Sequence, residues 1–244
     1  MSLSSRHFFV SDLHMFARRS HADRHVSLIR EQAQQAKAFV LAGDIFDFTW
    51  TTRETVEETI GEAAEWLRSL ASSAPGCQFY FVPGNHDHHD GFVEHLHDLA
   101  DTVDNFDWHP YFVRLGNTLF LHGDAAENKK TSLGEIDTYR RRWGHNNTKH
   151  GMLHWLYDVV VALRIHRLIP ALVYRNKVVV RRLMRYLQAI GHGPDSGVEH
   201  VCFGHTHVPL AGYEHNGVQF HNGGAPLRGT PFRIMEAPVQ MATA

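Results

Sequence analysis

Residues 81–90 read FVPGNHDHHD. The apolar run Gln78–Val82 has the residue types of a buried strand, and Pro83-Gly84-Asn85 marks a turn directly behind it. The turn then delivers three histidines and two aspartates in residues 86–90. Such a run is either an ordinary polar loop or one corner of a site whose other corners lie elsewhere. The arrangement recurs. His7–Val10 is followed by SDLH, with Asp12 and His14, and Ala38–Ala42 by GDIFD, with Asp44 and Asp47. Thr118–Leu121 leads into HGD, with His122 and Asp124, and Glu199–Phe203 into GHTH, with His205 and His207.

Between these strands the apolar spacing predicts helices over about Asp23–Lys37, Arg53–Ser73 and Gly91–Leu99. Repeated strand–loop–helix units indicate an α/β sheet. Later segments are richer in strands. Tyr111–Leu115 and Thr118–Leu121 flank Gly116-Asn117, and Leu210–His215 and Val218–His221 flank Asn216-Gly217, both hairpin signals. Phe232–Glu236 reads as a last strand.

The chain has 244 residues, enough for one domain with an insertion, and a net charge of −2. That balance gives no overall sign of nucleic acid or membrane as a partner, but it hides an asymmetry. Residues 128–195 hold 13 Lys and Arg against 4 Asp and Glu, while the rest holds 11 against 22. Two helices are expected in this basic segment, Met152–Ile169 and Leu172–Ile190, broken at Pro170. Charged residues interrupt both, so neither reads as a membrane span. Cys77 and Cys202 lie in apolar runs without a CxxC pattern and are expected to be reduced. The N-terminal stretch lacks a secretory signal pattern, so a cytoplasmic location is the expectation.

Open α/β sheets gather ligands outside the carboxyl ends of their strands, where all five polar loops could meet. In an extended segment, residues i and i+2 face the same way, so Asp-x-His and His-x-His could each present two ligands to one cation. A mixed Asp, Asn and His set suits Mn²⁺, Fe²⁺ or Zn²⁺ better than an all-oxygen calcium cage.

The series DxH, GD, GNHD, HGD and GHTH, in this order from Asp12 to His207, resembles the calcineurin-like metallophosphoesterase superfamily. That resemblance implies a four-layer α-β-β-α sandwich, a single domain over 1–244 with a basic helical cap at about 128–195. It implies two divalent ions, Mn²⁺ being the first expectation. One would be held by Asp12, His14, Asp44 and His207, the other by Asp44, Asn85, His122 and His205. The implied activity is phosphoester or pyrophosphate hydrolysis by a metal-bridging hydroxide. His86 would be the general acid, oriented by Asp87, with His88, His89 and Asp90 in a solvated loop. Asp47 and Asp124 read equally well as carboxylates behind the ligands and as turn caps.

The segment SLGEIDTYRRRW, with the helices after it, is similar to the UDP-2,3-diacylglucosamine pyrophosphatase branch of lipid A assembly. By that resemblance Asp137, Tyr139, Arg140, Arg141 and Arg142 would contact a nucleotide diphosphate or shape the cap. A lipid-linked nucleotide is then the expected substrate, with peripheral contact at the inner face of the membrane. The branch usually carries Arg where this chain has His86, so a general phosphodiesterase, nucleotidase or nuclease is the alternative. Nucleic acid is the less favoured substrate, because the basic segment is aliphatic and holds few stacking aromatics.

Overall fold

Strands β1 (His7–Val10), β2 (Ala38–Ala42) and β3 (Gln78–Val82) are almost uninterruptedly apolar because both of their faces are covered. In the computed structural model of the chain, which describes residues 6–127, 131–144 and 175–241, alternate residues of each strand enter different cores. Phe8, Val10, Phe39, Leu41, Phe79 and Phe81 pack under helices, while Phe9, Val40, Ala42 and Val82 turn to the opposite side.

The helices over the first set are α1 (Val26–Gln34), α2 (Val56–Ser73) and α3 (Asp90–Thr102). They contribute Ile29, Ile60, Leu67, Phe92 and Leu96 to that core. The side chain of Thr55 caps α2 by accepting from Glu58 N, and that of His89 caps α3 by accepting from Gly91 N. His89 and Asp90 therefore begin a helix rather than extend a solvated loop.

The first sheet is completed by β4 (Phe106–Trp108) and β10 (Met235–Glu236), in the order β10-β1-β2-β3-β4. β4 pairs parallel to β3 and carries too few residues to show a period in sequence. The final strand is shorter than expected. Only Met235 and Glu236 pair with β1, while Phe232 bridges Gly224.

The second sheet has the order β5-β6-β7-β9-β8, from β5 (Phe112–Leu115), β6 (Thr118–Leu121), β7 (His200–Phe203), β8 (Leu210–His215) and β9 (Val218–Asn222). Both expected hairpins form. Phe120 and Cys202 face the first sheet and meet Phe9, Val40 and Val82, which makes the middle of the sandwich. Leu119, Leu121, Val201, Phe203 and Phe220 face outward under α5 (Asn176–Ala189) and Ile136 of α4 (Leu133–Gly144). The order of layers is α-β-β-α.

α5 coincides with the second expected helix of the basic segment. Its Val179, Val180, Leu183, Met184, Tyr186 and Leu187 are buried on the second sheet, so this stretch forms the outer layer of the sandwich. Met152–Ile169, and the apolar set expected there, lie outside the described residues. No helix of the described residues is long and apolar enough to cross a membrane.

Candidate metal centre

β1, β2 and β3 run parallel, as do β6 and β7, and the loops after all five converge at one end of the sandwich. They bring together the seven residues Asp12, His14, Asp44, Asn85, His122, His205 and His207. Six are buried or nearly so, and the His207 side chain is 28% exposed.

Two overlapping groups of donor atoms result. In the first, His14 Nε2 lies 3.0 Å from His207 Nε2 and 3.9 Å from Asp44 Oδ2, and His207 Nε2 is 3.4 Å from Asp12 Oδ1. In the second, His122 Nε2 lies 3.1 Å from Asn85 Oδ1 and 3.4 Å from Asp44 Oδ2. His205 Nδ1 completes it, 3.1 Å from Asn85 Oδ1 and 3.2 Å from His122 Nε2. Asp44 Oδ2 is common to both. Donors about 2.0–2.2 Å from one cation stand about 3.0–3.5 Å apart, the spacing seen here. Asp12, His14 and His207 offer ligand atoms all within 4.8 Å of one another, as do Asp12, Asp44 and His122. The donor set and its spacing thus fit two divalent cations sharing Asp44. A third such group, His14, Asp44 and His86, places the His86 imidazole at the rim of the same centre.

The local backbone differs from the extended geometry expected for Asp-x-His and His-x-His. Asp12, His14, Asp44, His205 and His207 all have positive φ, between 47° and 66°. The pairs converge through successive left-handed turns, and the alternation of a strand plays no part. Each such residue costs on the order of 1–3 kcal/mol, held by the surrounding structure. Hydrogen bonds between loops do the holding. His205 N donates to Asp12 Oδ1 (2.8 Å), His86 N to Asp44 Oδ1 (2.8 Å), and Ser11 Oγ to Asp12 Oδ2 (2.6 Å).

Two motif glycines are explained by close approach. A Cβ on Gly84 would lie 2.2 Å from Asp44 Oδ1, and one on Gly204 would lie 2.3 Å from Asp12 Oδ2. Any larger residue would push a ligand out of place.

Burial raises the pKa of the Asp12, Asp44 and Asp47 carboxyls, but neighbouring imidazoles outweigh it and hold all three below the usual carboxylate range. The same contest runs in reverse at His86 and His122. Burial lowers each imidazole, and the facing carboxylates (Asp47 and Asp44 for His86, Asp44 for His122) raise it to about 9. The cluster demands positive charge at its middle, from protons or from cations.

The partner of His86 corrects one expectation. His86 Nδ1 lies 3.1 Å from Asp47 Oδ1, and Asp47 Oδ2 lies 3.4 Å from His14 Nδ1. Asp87 instead accepts from the backbone of Gly84 (2.6 Å), Ile45 (2.8 Å) and Phe46 (3.3 Å), tying the loops after β2 and β3 together. Asp47 also accepts from Trp50 N at 2.8 Å, so it serves as both turn cap and imidazole partner.

The residues of α4 divide. Arg140 is 1% exposed and donates through Nε to Asp124 Oδ2 (2.6 Å) and through Nη1 to the Pro110 carbonyl (2.5 Å). This corrects its expected contact with substrate, since the guanidinium is occupied within the fold. Asp137 accepts from Tyr111 Oη at 2.7 Å. Arg141 and Arg142 are exposed, Arg141 lying 4.0 Å from Asp90. Tyr139 and Trp143 face the centre, their rings 6.4 Å from His205 and 5.0 Å from His86 respectively. Sequence reasoning missed Ser11 and Glu127. The only signal for Glu127 was a carboxylate three residues beyond Asp124.

A family model described as calcineurin-like phosphoesterase matches residues 6–209. A UDP-2,3-diacylglucosamine hydrolase of Histophilus somni (strain 2336) is 32% identical over 81 residues, 33% of each chain. The protein of that name from Stenotrophomonas maltophilia (strain K279a) is 35% identical over 80 residues, 32% of this chain and 31% of that one. The chain thus spans about a third of the length of these curated relatives. A solved structure, a dimetal phosphatase from Danio rerio, covers 93% of this chain and 89% of its own at 13% identity, with a TM-score of 0.47.

Proposed function

Because the chain belongs to the calcineurin-like phosphoesterase family, we propose that it is a metal-dependent hydrolase of phosphate esters or anhydrides. Two divalent ions would serve it, with Mn²⁺ the first candidate. The observation that supports this best is the pair of donor groups sharing Asp44 Oδ2. One ion would be held by Asp12, His14, Asp44 and His207, the other by Asp44, Asn85, His122 and His205. When bound, such a pair polarises a phosphoryl oxygen and furnishes a hydroxide near neutral pH.

The chain's own residues supply the rest. Asp47 occupies His86 Nδ1, which leaves Nε2 as the nitrogen able to hand a proton to a departing oxygen. Trp143 covers one side of that imidazole and forms a wall for the leaving group. Asp87 fixes the loop that carries Asn85 and His86.

For the substrate, the partial relatives favour a UDP-2,3-diacylglucosamine-like molecule cleaved at its pyrophosphate, in a soluble protein that touches the inner face of the membrane. A second reading, an alkyl or nucleoside phosphodiester, is favoured by His86. A departing phosphate is weakly basic and leaves without help, whereas an alkoxide needs a proton as it departs.

A hydrolysis panel with Mn²⁺ tests both readings, using UDP-diacylglucosamine, UDP-sugars without acyl chains, cyclic nucleotides and an aryl phosphodiester. Turnover of the first alone supports the lipid reading, and turnover of cyclic nucleotides the second. No turnover of any of them, with two ions bound, defeats the proposal. In His86→Gln a loss of about 10²–10⁴-fold is expected for alkoxide leaving groups and little loss for the aryl ester.

A further inference from the structure

Each metal-facing imidazole has a second ring nitrogen, and what that nitrogen meets decides which tautomer the ligand adopts. For His14 it is Nδ1, 3.4 Å from Asp47. For His122 it is Nδ1, buried and without a hydrogen-bond partner. For His205 the ring is reversed. Its Nδ1 faces Asn85 and His122. Its Nε2 points away from the centre, 3.4 Å from Glu127 Oε2.

Glu127 is placed there by its neighbours. It follows the short 3-10 turn Asp124–Ala126 that opens directly behind His122, with extended backbone (φ −89°, ψ 135°). Tyr139 of α4 donates its hydroxyl to the same carboxylate oxygen. Burial and then Glu127 itself push the Tyr139 hydroxyl far up, so it stays protonated and remains a donor. α4 is in turn fixed to the loop after β6 by the buried Arg140–Asp124 pair and to the start of β5 by Asp137 and Tyr111.

We propose that Glu127 is a positioning residue for the metal centre. Its carboxylate accepts from His205 Nε2–H, which leaves the lone pair on Nδ1 for the ion shared with Asn85 and His122, and Tyr139 holds Glu127 in place. A carboxylate behind a ligating imidazole both fixes the ring and raises its basicity. Here that carboxylate comes from one loop, the imidazole from another and the restraining hydroxyl from a helix. Docking of α4 is thereby linked to one of the two metal positions, the one containing His205. The inference rests on the reading of His205 as a ligand.

The test is Mn²⁺ binding to the full chain, followed by titration calorimetry and by the electron paramagnetic resonance signal of the coupled ion pair. Wild type is expected to bind two ions and to show the coupled signal. Glu127→Leu should weaken one ion by about 10–100-fold and leave the other unchanged. The coupled signal should then vanish at stoichiometric metal. Glu127→Gln, whose amide oxygen still accepts from Nε2–H, should restore most of the affinity. Tyr139→Phe, which keeps the ring and loses only the donor, should weaken the same ion to a smaller degree, and it carries the test if Glu127→Leu fails to fold. Two ions bound by wild type with undiminished affinity in both Glu127→Leu and Tyr139→Phe overturns this inference alone. A Gln variant as weak as the Leu variant also overturns it, since acceptance would then not be what the site needs. A wild-type chain that binds neither ion overturns this inference together with the metal-centre reading beneath it.

Discussion

Asp47 and His86 are joined Oδ1 to Nδ1 at 3.1 Å, while the other oxygen of the same carboxylate lies 3.4 Å from His14 Nδ1. One buried side chain thus orients both a metal-facing imidazole and the proposed proton donor. Asp47→Asn keeps the shape and the cap on Trp50 but loses the negative charge between two imidazoles. A fall of about 10–100-fold in kcat/KM is expected with saturating Mn²⁺. A rate equal to wild type would show that neither ring depends on Asp47.

Removal of metal should destabilise the fold, because His14 Nε2 and His207 Nε2 stand 3.0 Å apart with Asp12 and Asp44 beside them. At an ion concentration 100 times Kd, binding adds about 2.7 kcal/mol. For a chain of this size that is roughly 5–11 °C in Tm. Calorimetry with and without chelator, followed by Mn²⁺ add-back, checks it; an unmoved transition counts against the centre.

Gly204→Ala places a methyl 2.3 Å from Asp12 Oδ2. Overpacking should cost about 1–3 kcal/mol and displace a ligand. The expected result is a folded variant with a lowered Tm and weakened binding of the ion near Asp12, measured by metal content after gel filtration. Full metal content would show that the loop yields without disturbing Asp12.

Arg140→Met separates a structural role from a substrate contact. It leaves Asp124 buried and uncompensated, so a loss of about 3–5 kcal/mol is expected in denaturant unfolding. If stability holds and only KM rises, the assignment of Arg140 to the fold is wrong.

Acid should weaken the sandwich through His221. Its imidazole is pushed down to about 4 by burial and by the nearby His200 and Arg233. Below the ordinary value of 6.5 the unfolded chain takes up the proton before the folded one does. Its stabilising contribution is therefore full above pH 6.5 and shrinks as pH falls toward 4. Replacing His221 with Gln should flatten that part of the stability–pH curve measured by urea unfolding. An unchanged slope removes His221 as the cause.

The loops that carry the site were legible because their ligand types are rare behind buried strands and recur five times. The strands were legible because a two-sided core demands continuous apolar runs, as in Ala38–Ala42. Three kinds of feature were not. Phe106–Trp108 is too short to show a period. The left-handed φ of Asp12 and His14 leaves no mark in residue type, since neither is glycine. Partners such as Asp47 with His86, Glu127 with His205 and Arg140 with Asp124 join separate loops, and a sequence does not say which carboxylate turns toward which ring.

The centre straddles the sandwich: Asp12, Asp44 and Asn85 hang from one sheet, and His122, His205 and His207 from the other. Its donor spacing is therefore a gauge of the gap between the sheets, which Phe9, Val40 and Phe120 fill. Close packing transmits strain, so one methylene added or removed in that filling shifts the two rows of ligands relative to each other. Changes in the filling should be tolerated only in compensating pairs, one from each face.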